Sequence, residues 1–329
     1  MTESIQNRSA REKISTPPRL VVDLRFSNIE AWAAASDWDL DFRQLSAGRL
    51  NGRVRVLAGP GCTAMKVQLN QSFHQVGHSQ PGYVTFGIPY PPSSEFKWCG
   101  SSARGDELLN FNPFGGFDGI SGKSFSGCTL SFRRETLEEL AEILDLPFDF
   151  EKILHGGGVL LGAGEETTRI RRQLDVAFQS VSITGRSEVP AASSLFETGV
   201  AEAILRLLAQ SSRPRWDAVQ PARQIALRNA LDILEIPENL PISVAGLCRR
   251  VGVSAPSLFR AFKEMFGVGT KEYIQARILA AVRSELIAAR PGTQINDIAN
   301  GWGIWHMGRF AADYRKQFGE LPSETLQGV

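Results

Sequence analysis

Hydrophobic and polar residues alternate in short runs over the first part of the chain. Arg53-Val54-Arg55-Val56-Leu57 is one such run, and Tyr83-Val84-Thr85-Phe86 is a shorter one that is rich in aromatic residues. Glycine and proline clusters such as Gly59-Pro60-Gly61 separate these runs. Short strands with turn signals between them are typical of an antiparallel sandwich or barrel. The pattern therefore predicts a β domain over about residues 19–132, with one short helix at Asn28–Ala35.

From residue 133 the apolar positions recur every three or four residues, as on one face of a helix. The segments Arg134–Leu146, Glu165–Val181 and Ser194–Ala209 each show this pattern, which predicts three helices. We expect the apolar stripes of the first and third of these helices to exceed the area that one barrel face covers. This expectation predicts a homodimer formed by the N-terminal half of the chain.

The last third of the chain contains an internal repeat. Leu247–Val253 aligns with Ile298–Ile304, and Phe262–Gly267 aligns with Tyr314–Gly319, about fifty residues further on. Each copy consists of a helical pattern, a glycine turn and a second helical pattern, and Ser254 is placed to cap the second helix of the first copy. Two helices joined by a short glycine turn are typical of the helix-turn-helix motif, whose second helix enters the major groove of DNA.

A continuous amphipathic pattern at Thr270–Ala289 joins the two copies and ends at the stop signal Arg290-Pro291-Gly292. A helix of this length spans about 30 Å, and one turn of B-DNA spans roughly 34 Å. The spacing therefore predicts that one chain places two recognition helices in successive major grooves of the same duplex.

Composition limits the remaining possibilities. The 329 residues are 43% hydrophobic, which predicts two or three folded domains and excludes extensive disorder. Lys and Arg number 36 against 35 Asp and Glu, so DNA binding must depend on the local placement of charge. Four cysteines without CxxC spacing favour neither a zinc site nor disulfides, and we expect no cofactor. The lack of a signal peptide and of a long apolar segment predicts a cytoplasmic protein with no membrane partner.

Six short motifs, three in each copy of the repeat, resemble the DNA-binding domain of the AraC/XylS family of transcription regulators. They are Gly252-Val253-Ser254, Leu258–Lys263, Phe266-Gly267, Ile298-Ala299, Gly303-Ile304 and Phe318–Ser323. The resemblance covers roughly Pro221–Leu326. Gly301-Trp302-Gly303 and His306–Phe310 further resemble the subgroup that contains regulators of amine and ethanolamine utilisation.

The sequence pattern and the resemblance together imply an α+β chain with four parts. These are a polar tail at 1–18, a cupin-like antiparallel β-barrel with flanking helices at 19–212, a linker at 213–220, and an all-α domain with two helix-turn-helix motifs and a linker helix at 221–329. The barrel is expected to end near residue 132, and the helices are expected to occupy residues 133–210. The implied function is that of a sequence-specific transcription activator, not an enzyme. It binds double-stranded DNA, responds to a small-molecule effector in the N-terminal domain, and contacts RNA polymerase.

The resemblance also implies which residues contact DNA. It places the first recognition helix at about Ala255–Phe266 and the second at about Trp305–Gln317. Arg260 and Arg309 are expected to form paired hydrogen bonds with guanine, whereas lysines and other arginines are expected at phosphates. Ala312 occupies a position where arginine is common in the family. The ten expected DNA contacts are Ser254, Pro256, Phe259, Arg260, Lys263, His306, Gly308, Arg309, Arg315 and Lys316.

The role of the N-terminal domain has two competing interpretations. Phe73, Phe86, Trp98 and Phe111 are candidates to line an effector cavity, although core packing is the more common role of such residues. The alternative is a metal-binding or enzymatic cupin fused to a DNA-binding domain, with His74 and His78 as metal ligands. A stoichiometric metal in the purified protein would favour this alternative. A general interaction protein is the third interpretation, but it leaves the duplicated motif without a role.

Overall fold

The computed structural model describes residues 19–34, 38–59, 61–80, 82–91, 96–103, 105, 107–112, 116–146, 158–160, 164–184, 198–210 and 222–328. The predicted polar tail (1–18) and the predicted linker (213–220) lie outside the described residues.

The N-terminal part consists of two β-sheets whose strands follow the predicted alternation. In β3, for example, Val54 is buried whereas Arg53 and Arg55 are half-buried. The strands are β1 (Arg19–Phe26), β2 (Asp39–Gln44), β3 (Gly52–Ala58), β4 (Cys62–Leu69), β5 (Phe73–His78), β6 (Tyr83–Pro89), β7 (Phe96–Trp98), β8 (Ser101–Ala103), β9 (Leu108–Phe111), β10 (Phe117–Ser121), β11 (Phe125–Arg133) and β12 (Gly158–Leu160).

One sheet has seven strands in the order β1-β3-β4-β11-β6-β9-β12, and the other has five in the order β2-β5-β10-β7-β8. Neighbouring strands in both sheets pair antiparallel, as predicted. Closure of the two sheets into a cupin-like barrel stays a prediction. The sequence did not predict β12, which pairs with β9 at the edge of the larger sheet. Its three residues are too few to show a periodicity of two.

The described residues of this part also form four helices: α1 (Ile29–Ala34), α2 (Arg134–Ile143), α3 (Gly164–Thr184) and α4 (Val200–Gln210). They confirm the predicted helices, although residues 194–197 of the third predicted segment lie outside the described part of the chain. Leu137, Leu174 and Ile204, one from each of the three long helices, are fully buried in a single core with the seven-stranded sheet. Because α2, α3 and α4 pack their apolar stripes against the sheet and one another, these stripes do not by themselves require a second copy of the chain, and the homodimer stays a prediction.

The C-terminal part is helical. It comprises α5 (Ala222–Glu235), α6 (Val244–Val251), α7 (Ala255–Phe266), α8 (Thr270–Ile287), α9 (Ile295–Gly301), α10 (Met307–Phe318) and α11 (Pro322–Gln327). One core joins α5, α6, α7 and the first half of α8, and a second core joins the second half of α8 to α9 and α10. This pair of cores is what the internal repeat predicts. Among the described helices, none combines the length and the apolar character that crossing a membrane requires.

Candidate nucleic-acid interface

Helices α6 and α7 form the first helix-turn-helix unit. Gly252 ends α6 with a φ of 75°, a conformation that glycine adopts without the strain that a β-carbon causes. The Ser254 hydroxyl then accepts a hydrogen bond of 3.4 Å from the Ser257 N–H and caps α7, as predicted. Leu258 and Phe262 are buried on one face of α7. The opposite face of α7 is consequently free to approach DNA.

The five residues of this unit that are predicted to contact DNA are all exposed. They are Ser254, Pro256, Phe259, Arg260 and Lys263. Lys263 also has a structural contact that the sequence did not predict, because its Nζ donates a hydrogen bond of 2.7 Å to the Gly267 carbonyl oxygen at the end of α7. The charge of Lys263 is thus held near the C-terminus of the helix, where it offsets the negative end of the helix dipole.

Helices α9 and α10 form the second unit. The turn between them contains Gly303 with a φ of 72°. Helix α10 begins at Met307, two residues later than predicted, because His306 has a non-helical backbone (φ −104°, ψ 86°) and occupies the N-cap position. Phe310 and Tyr314 are buried against α8, which repeats the packing of the first unit.

The predicted DNA contacts of the second unit are also exposed: His306, Gly308, Arg309, Arg315 and Lys316. Arg309 Nε lies 3.7 Å from Asp313 Oδ2. An exposed pair of this kind contributes little to stability, so it leaves Arg309 available for a base. Ala312 is exposed on the same helix, and its short side chain leaves room where the family commonly has arginine.

Trp305 was not predicted as a DNA contact, yet 71% of its surface is exposed. It lies directly before α10, and Phe259 of the first unit is 49% exposed. Exposed aromatic rings at the start of a recognition helix offer apolar contact to thymine methyl groups. The signal in the sequence was the position of Trp305 between the glycine turn and the recognition helix.

Helix α8 holds the two units at a fixed distance. Its 18 residues span about 27 Å. Tyr273 and Ile274 belong to the first core, whereas Leu279 and Val282 belong to the second. The spacing of the two recognition helices is therefore set by one helix that both cores share.

The five-stranded sheet contacts the first unit through a polar cluster in which Arg43, His74 and Tyr273 are buried and two carboxylates are exposed. Arg43 of β2 and His74 of β5 are direct cross-strand partners. Both reach the hydroxyl of Tyr273 on α8: the Arg43 guanidinium donates to it at 3.1 Å, and His74 Nδ1 lies 2.8 Å from it. Arg43 also donates to Glu235 at 2.7 Å, and His74 Nε2 lies 3.0 Å from Asp118. We call these five residues the polar junction.

A second set of contacts joins the sheets to the second unit. The side-chain amide of Gln44 donates to the Gln317 carbonyl oxygen at 2.6 Å, and the Gln317 amide donates to the Gln44 carbonyl oxygen at 2.5 Å. Arg283 of α8 lies 2.5 Å from Glu320 and 3.7 Å from Glu30 of α1. The N-terminal part thus touches both helix-turn-helix units and the helix between them.

Known proteins share this duplicated unit. A family model described as "Helix-turn-helix domain" matches residues 247–328. The probable thc operon regulatory protein of Rhodococcus erythropolis is 36% identical over 118 residues, which are 36% of this chain and 36% of that protein. A XylDLEGF operon transcriptional activator of Pseudomonas putida is 40% identical over 95 residues, 28% of this chain and 30% of that protein. The solved structure of a probable AraC family transcriptional regulator from Rhodopseudomonas palustris is 31% identical and covers 31% of this chain and 95% of that chain, with a TM-score of 0.29. Residues 247–328 belong to the AraC/XylS family.

The AraC/XylS match is confined to part of each relative. The chain spans about a third of the length of the two curated relatives. The family assignment therefore describes the helix-turn-helix units, and the role of the N-terminal part must come from its own residues.

The polar junction forms a chain of hydrogen bonds against the AraC/XylS-type domain. Burial raises the pKa of the Tyr273 hydroxyl well above its ordinary value, so this group keeps its proton. Arg43 can only donate, so the Tyr273 hydroxyl accepts from Arg43. The two ring nitrogens of His74 lie within hydrogen-bond distance of the Tyr273 hydroxyl and of the Asp118 carboxylate.

These contacts account for a histidine that was a candidate metal ligand. Both ring nitrogens of His74 have partners in the polar junction, and His78 is exposed about 13 Å further along β5. In the part of the chain that the structure describes, no group of three or more His, Cys, Asp or Glu side chains is arranged to hold a metal ion. The metal-binding or enzymatic alternative is not favoured, because the proteins that this chain resembles are operon regulators.

A cavity of about 60 Å³ lies between the two sheets. Two of the four predicted ligand contacts, Trp98 and Phe111, line it. The other two do not line it: Phe86 is buried in the core beneath the helices, and Phe73 packs against Phe42 with ring centres 6.1 Å apart. Both predictions are therefore corrected. Strand alternation accounts for Phe86, which lies on the opposite face from Gly87 and Pro89, whereas Phe73 shares a sheet face with Gln75 and still does not line the cavity.

Proposed function

We propose that the chain is a sequence-specific DNA-binding transcription regulator. In this proposal α7 and α10 enter successive major grooves of one duplex. The observation that carries it is the geometry of the AraC/XylS-type domain: α8, about 27 Å long, joins two units whose recognition helices each have an exposed face, and one turn of B-DNA spans roughly 34 Å. The near balance of charge over the chain makes base contacts, more than bulk attraction, responsible for site choice.

Base recognition is tested by comparing two arginines. Arg260→Ala should weaken binding to the specific site by about 1–3 kcal/mol and relax the preference at one base pair, because a paired contact with guanine is lost. Arg315→Ala should weaken binding to specific and random DNA alike. It should also make the slope of log affinity against log salt concentration shallower by about one unit, because one phosphate contact is lost. Fluorescence anisotropy with a site selected from random DNA, at several salt concentrations, measures both effects. Equal losses on specific and random DNA for both variants would refute the assignment of Arg260.

The proposal extends to the N-terminal part as a sensor domain, with boundaries at 19–212, a linker at 213–220 and the DNA-binding domain at 221–329. The two sheets are proposed to form a cupin-like barrel around an effector. Contact with RNA polymerase, which an activator requires, rests on the family resemblance, and the homodimer rests on the apolar helices of the N-terminal half. The amine-utilisation subgroup and a cytoplasmic location likewise rest on the sequence.

The five-stranded sheet supports a coupling between effector and DNA. Successive residues of a strand point to opposite faces of a sheet. Phe42 and Gln75 line the cavity on one face of the sheet. Their neighbours in the chain, Arg43 and His74, contact the Tyr273 hydroxyl on the other face. A ligand that shifts these strands would therefore change the contacts on α8, the helix that spaces the two recognition helices.

The coupling predicts a defined effect of Tyr273→Phe. This change removes the hydroxyl that Arg43 and His74 share and leaves His74 Nδ1 buried without a partner. We expect the free energy of unfolding to fall by about 1–3 kcal/mol and the effect of ligand on DNA affinity to shrink. Urea denaturation and DNA titrations with and without effector measure the two quantities. Tyr83→Phe, at a half-buried tyrosine of β6, is the control, and an equal loss of stability in both variants would contradict a special role for the polar junction.

A further inference from the structure

Trp32 of α1 combines two features that indicate a ligand. It lines the cavity between the sheets, where its ring lies 4.7 Å from that of Phe42, and it is only 5% exposed. Its indole nitrogen is buried and has no hydrogen-bond partner among the described residues. The indole N–H of Trp98, which lines the same cavity, donates to the Asn110 carbonyl oxygen at 3.1 Å. A buried donor without an acceptor is unfavourable, so a ligand that brings an acceptor to Trp32 gains affinity.

The residues that line the cavity also limit the charge of the ligand. None of the described lining residues is Asp, Glu, His or Arg. Lys97 is among them, but it lies between the buried Phe96 and Trp98 on β7, so strand alternation directs its side chain to the other face of the sheet. An ammonium or carboxylate group would thus lose its hydration without gaining a counter-charge.

The size of the cavity requires a compact ligand and some movement of its wall. A volume of about 60 Å³ holds only a few water molecules. Trp38 is half-buried at this wall and packs edge-on against Phe111 with ring centres 5.3 Å apart. Displacement of the Trp38 ring is the least costly way to admit an aromatic ring, because Trp38 is half-buried whereas Trp32, Trp98 and Phe111 are buried.

We propose that this cavity binds a small, neutral, largely apolar ring compound that bears a hydrogen-bond acceptor, such as a carbonyl oxygen, and that the acceptor pairs with the indole N–H of Trp32. The proposal deepens the proposed function, because it rests on that function for the ligand's role as effector. It differs from the amine that the subgroup resemblance suggests, because the cavity offers an ammonium group no carboxylate.

Three compounds with one carbon skeleton test the proposal on the full-length protein by isothermal titration calorimetry. Acetophenone carries the acceptor, ethylbenzene lacks it, and 1-phenylethylamine is a cation at neutral pH. We expect acetophenone to bind about two- to twelvefold more tightly than ethylbenzene, the value of one net hydrogen bond. The amine should bind more weakly than either. Equal binding of acetophenone and ethylbenzene, or tighter binding of the amine, would overturn the proposal, and neither result depends on a variant.

A variant pair then assigns the donor. Trp32→Phe keeps an aromatic ring but removes the N–H, so acetophenone affinity should fall to that of ethylbenzene while ethylbenzene affinity is retained. Trp98→Phe removes an N–H that already has a partner in Asn110, so the ratio of the two affinities should remain as in the native protein. An unchanged ratio in Trp32→Phe overturns the assignment of the donor.

A DNA titration of the same samples separates the ligand site from the regulatory role. If the protein binds DNA but shows no preference for acetophenone, the ligand proposal is overturned and the regulator remains. A second outcome is that the preference for acetophenone depends on Trp32 while acetophenone leaves the DNA affinity unchanged. This outcome supports the ligand chemistry and refutes the sensor role in the proposed function.

Discussion

Phe262→Ala is expected to lower the free energy of unfolding by about 3–5 kcal/mol. Phe262 is fully buried in the first helix-turn-helix core, where its ring centre lies 5.5 Å from that of Phe266 and 5.0 Å from that of Tyr273. Truncation leaves a cavity at the point where α7 packs on α8, so the recognition helix loses its support. Denaturation followed by circular dichroism measures the loss of stability, and DNA affinity should fall with it.

Phe259→Ala is the matched control on the same helix. Phe259 is 49% exposed, so its removal should change stability by less than about 1 kcal/mol. It should nevertheless weaken binding to the specific site if the ring contacts a thymine methyl group. Comparable destabilisation by the two alanine substitutions would show that α7 packs through a different face from the one described.

Arg283→Met is expected to cost about 3–5 kcal/mol of stability, since it removes the cation from a buried ion pair. Arg283 is 5% exposed and forms ion pairs with Glu320 and Glu30. Its guanidinium also lies 4.8 Å from the centre of the Phe318 ring. The variant therefore leaves two carboxylates without their cation and loosens the contact of α8 with the second helix-turn-helix unit. Arg290→Met, at an exposed arginine beyond the end of α8, should leave stability within about 0.5 kcal/mol of the native value.

The defect of Arg283→Met should also depend on pH. Burial raises the pKa of Glu30 above its ordinary value of 4.5, although Arg283 acts to lower it. Without Arg283 this pKa rises further, so the folded state holds the proton of Glu30 more tightly than the unfolded chain does. Stability that depends on this proton is present at low pH and is lost as the pH rises from about 4.5 through the folded-state pKa. The difference between variant and native protein should thus be larger at pH 8 than at pH 5, and a difference that is constant over this range would contradict the account.

The helix-turn-helix domain was largely predictable from the sequence. Its signals are local: the apolar spacing at Leu258, Phe262 and Phe266, the glycine at position 252 and the cap at Ser254 each act within a few residues. The bounds of α7, which the family resemblance implied, are confirmed and coincide with these local signals. The start of α10 was not predicted correctly, because His306 has no capping side-chain contact that marks the boundary and its backbone is not helical.

The polar junction and the cavity depended on the tertiary structure. Arg43 and Tyr273 are 230 positions apart, and nothing in the sequence near either residue records their pairing. Periodicity shows that Phe86 and Phe111 belong to strands, but only the packing of two sheets decides that Phe111 lines a cavity and that Phe86 lies beneath helices. The same packing covers the stripes that predicted a dimer. The sequence determined the elements and the DNA-binding units because local contacts specify them, whereas the partners across sheets and domains were decided by long-range packing that leaves no periodic signal in the chain.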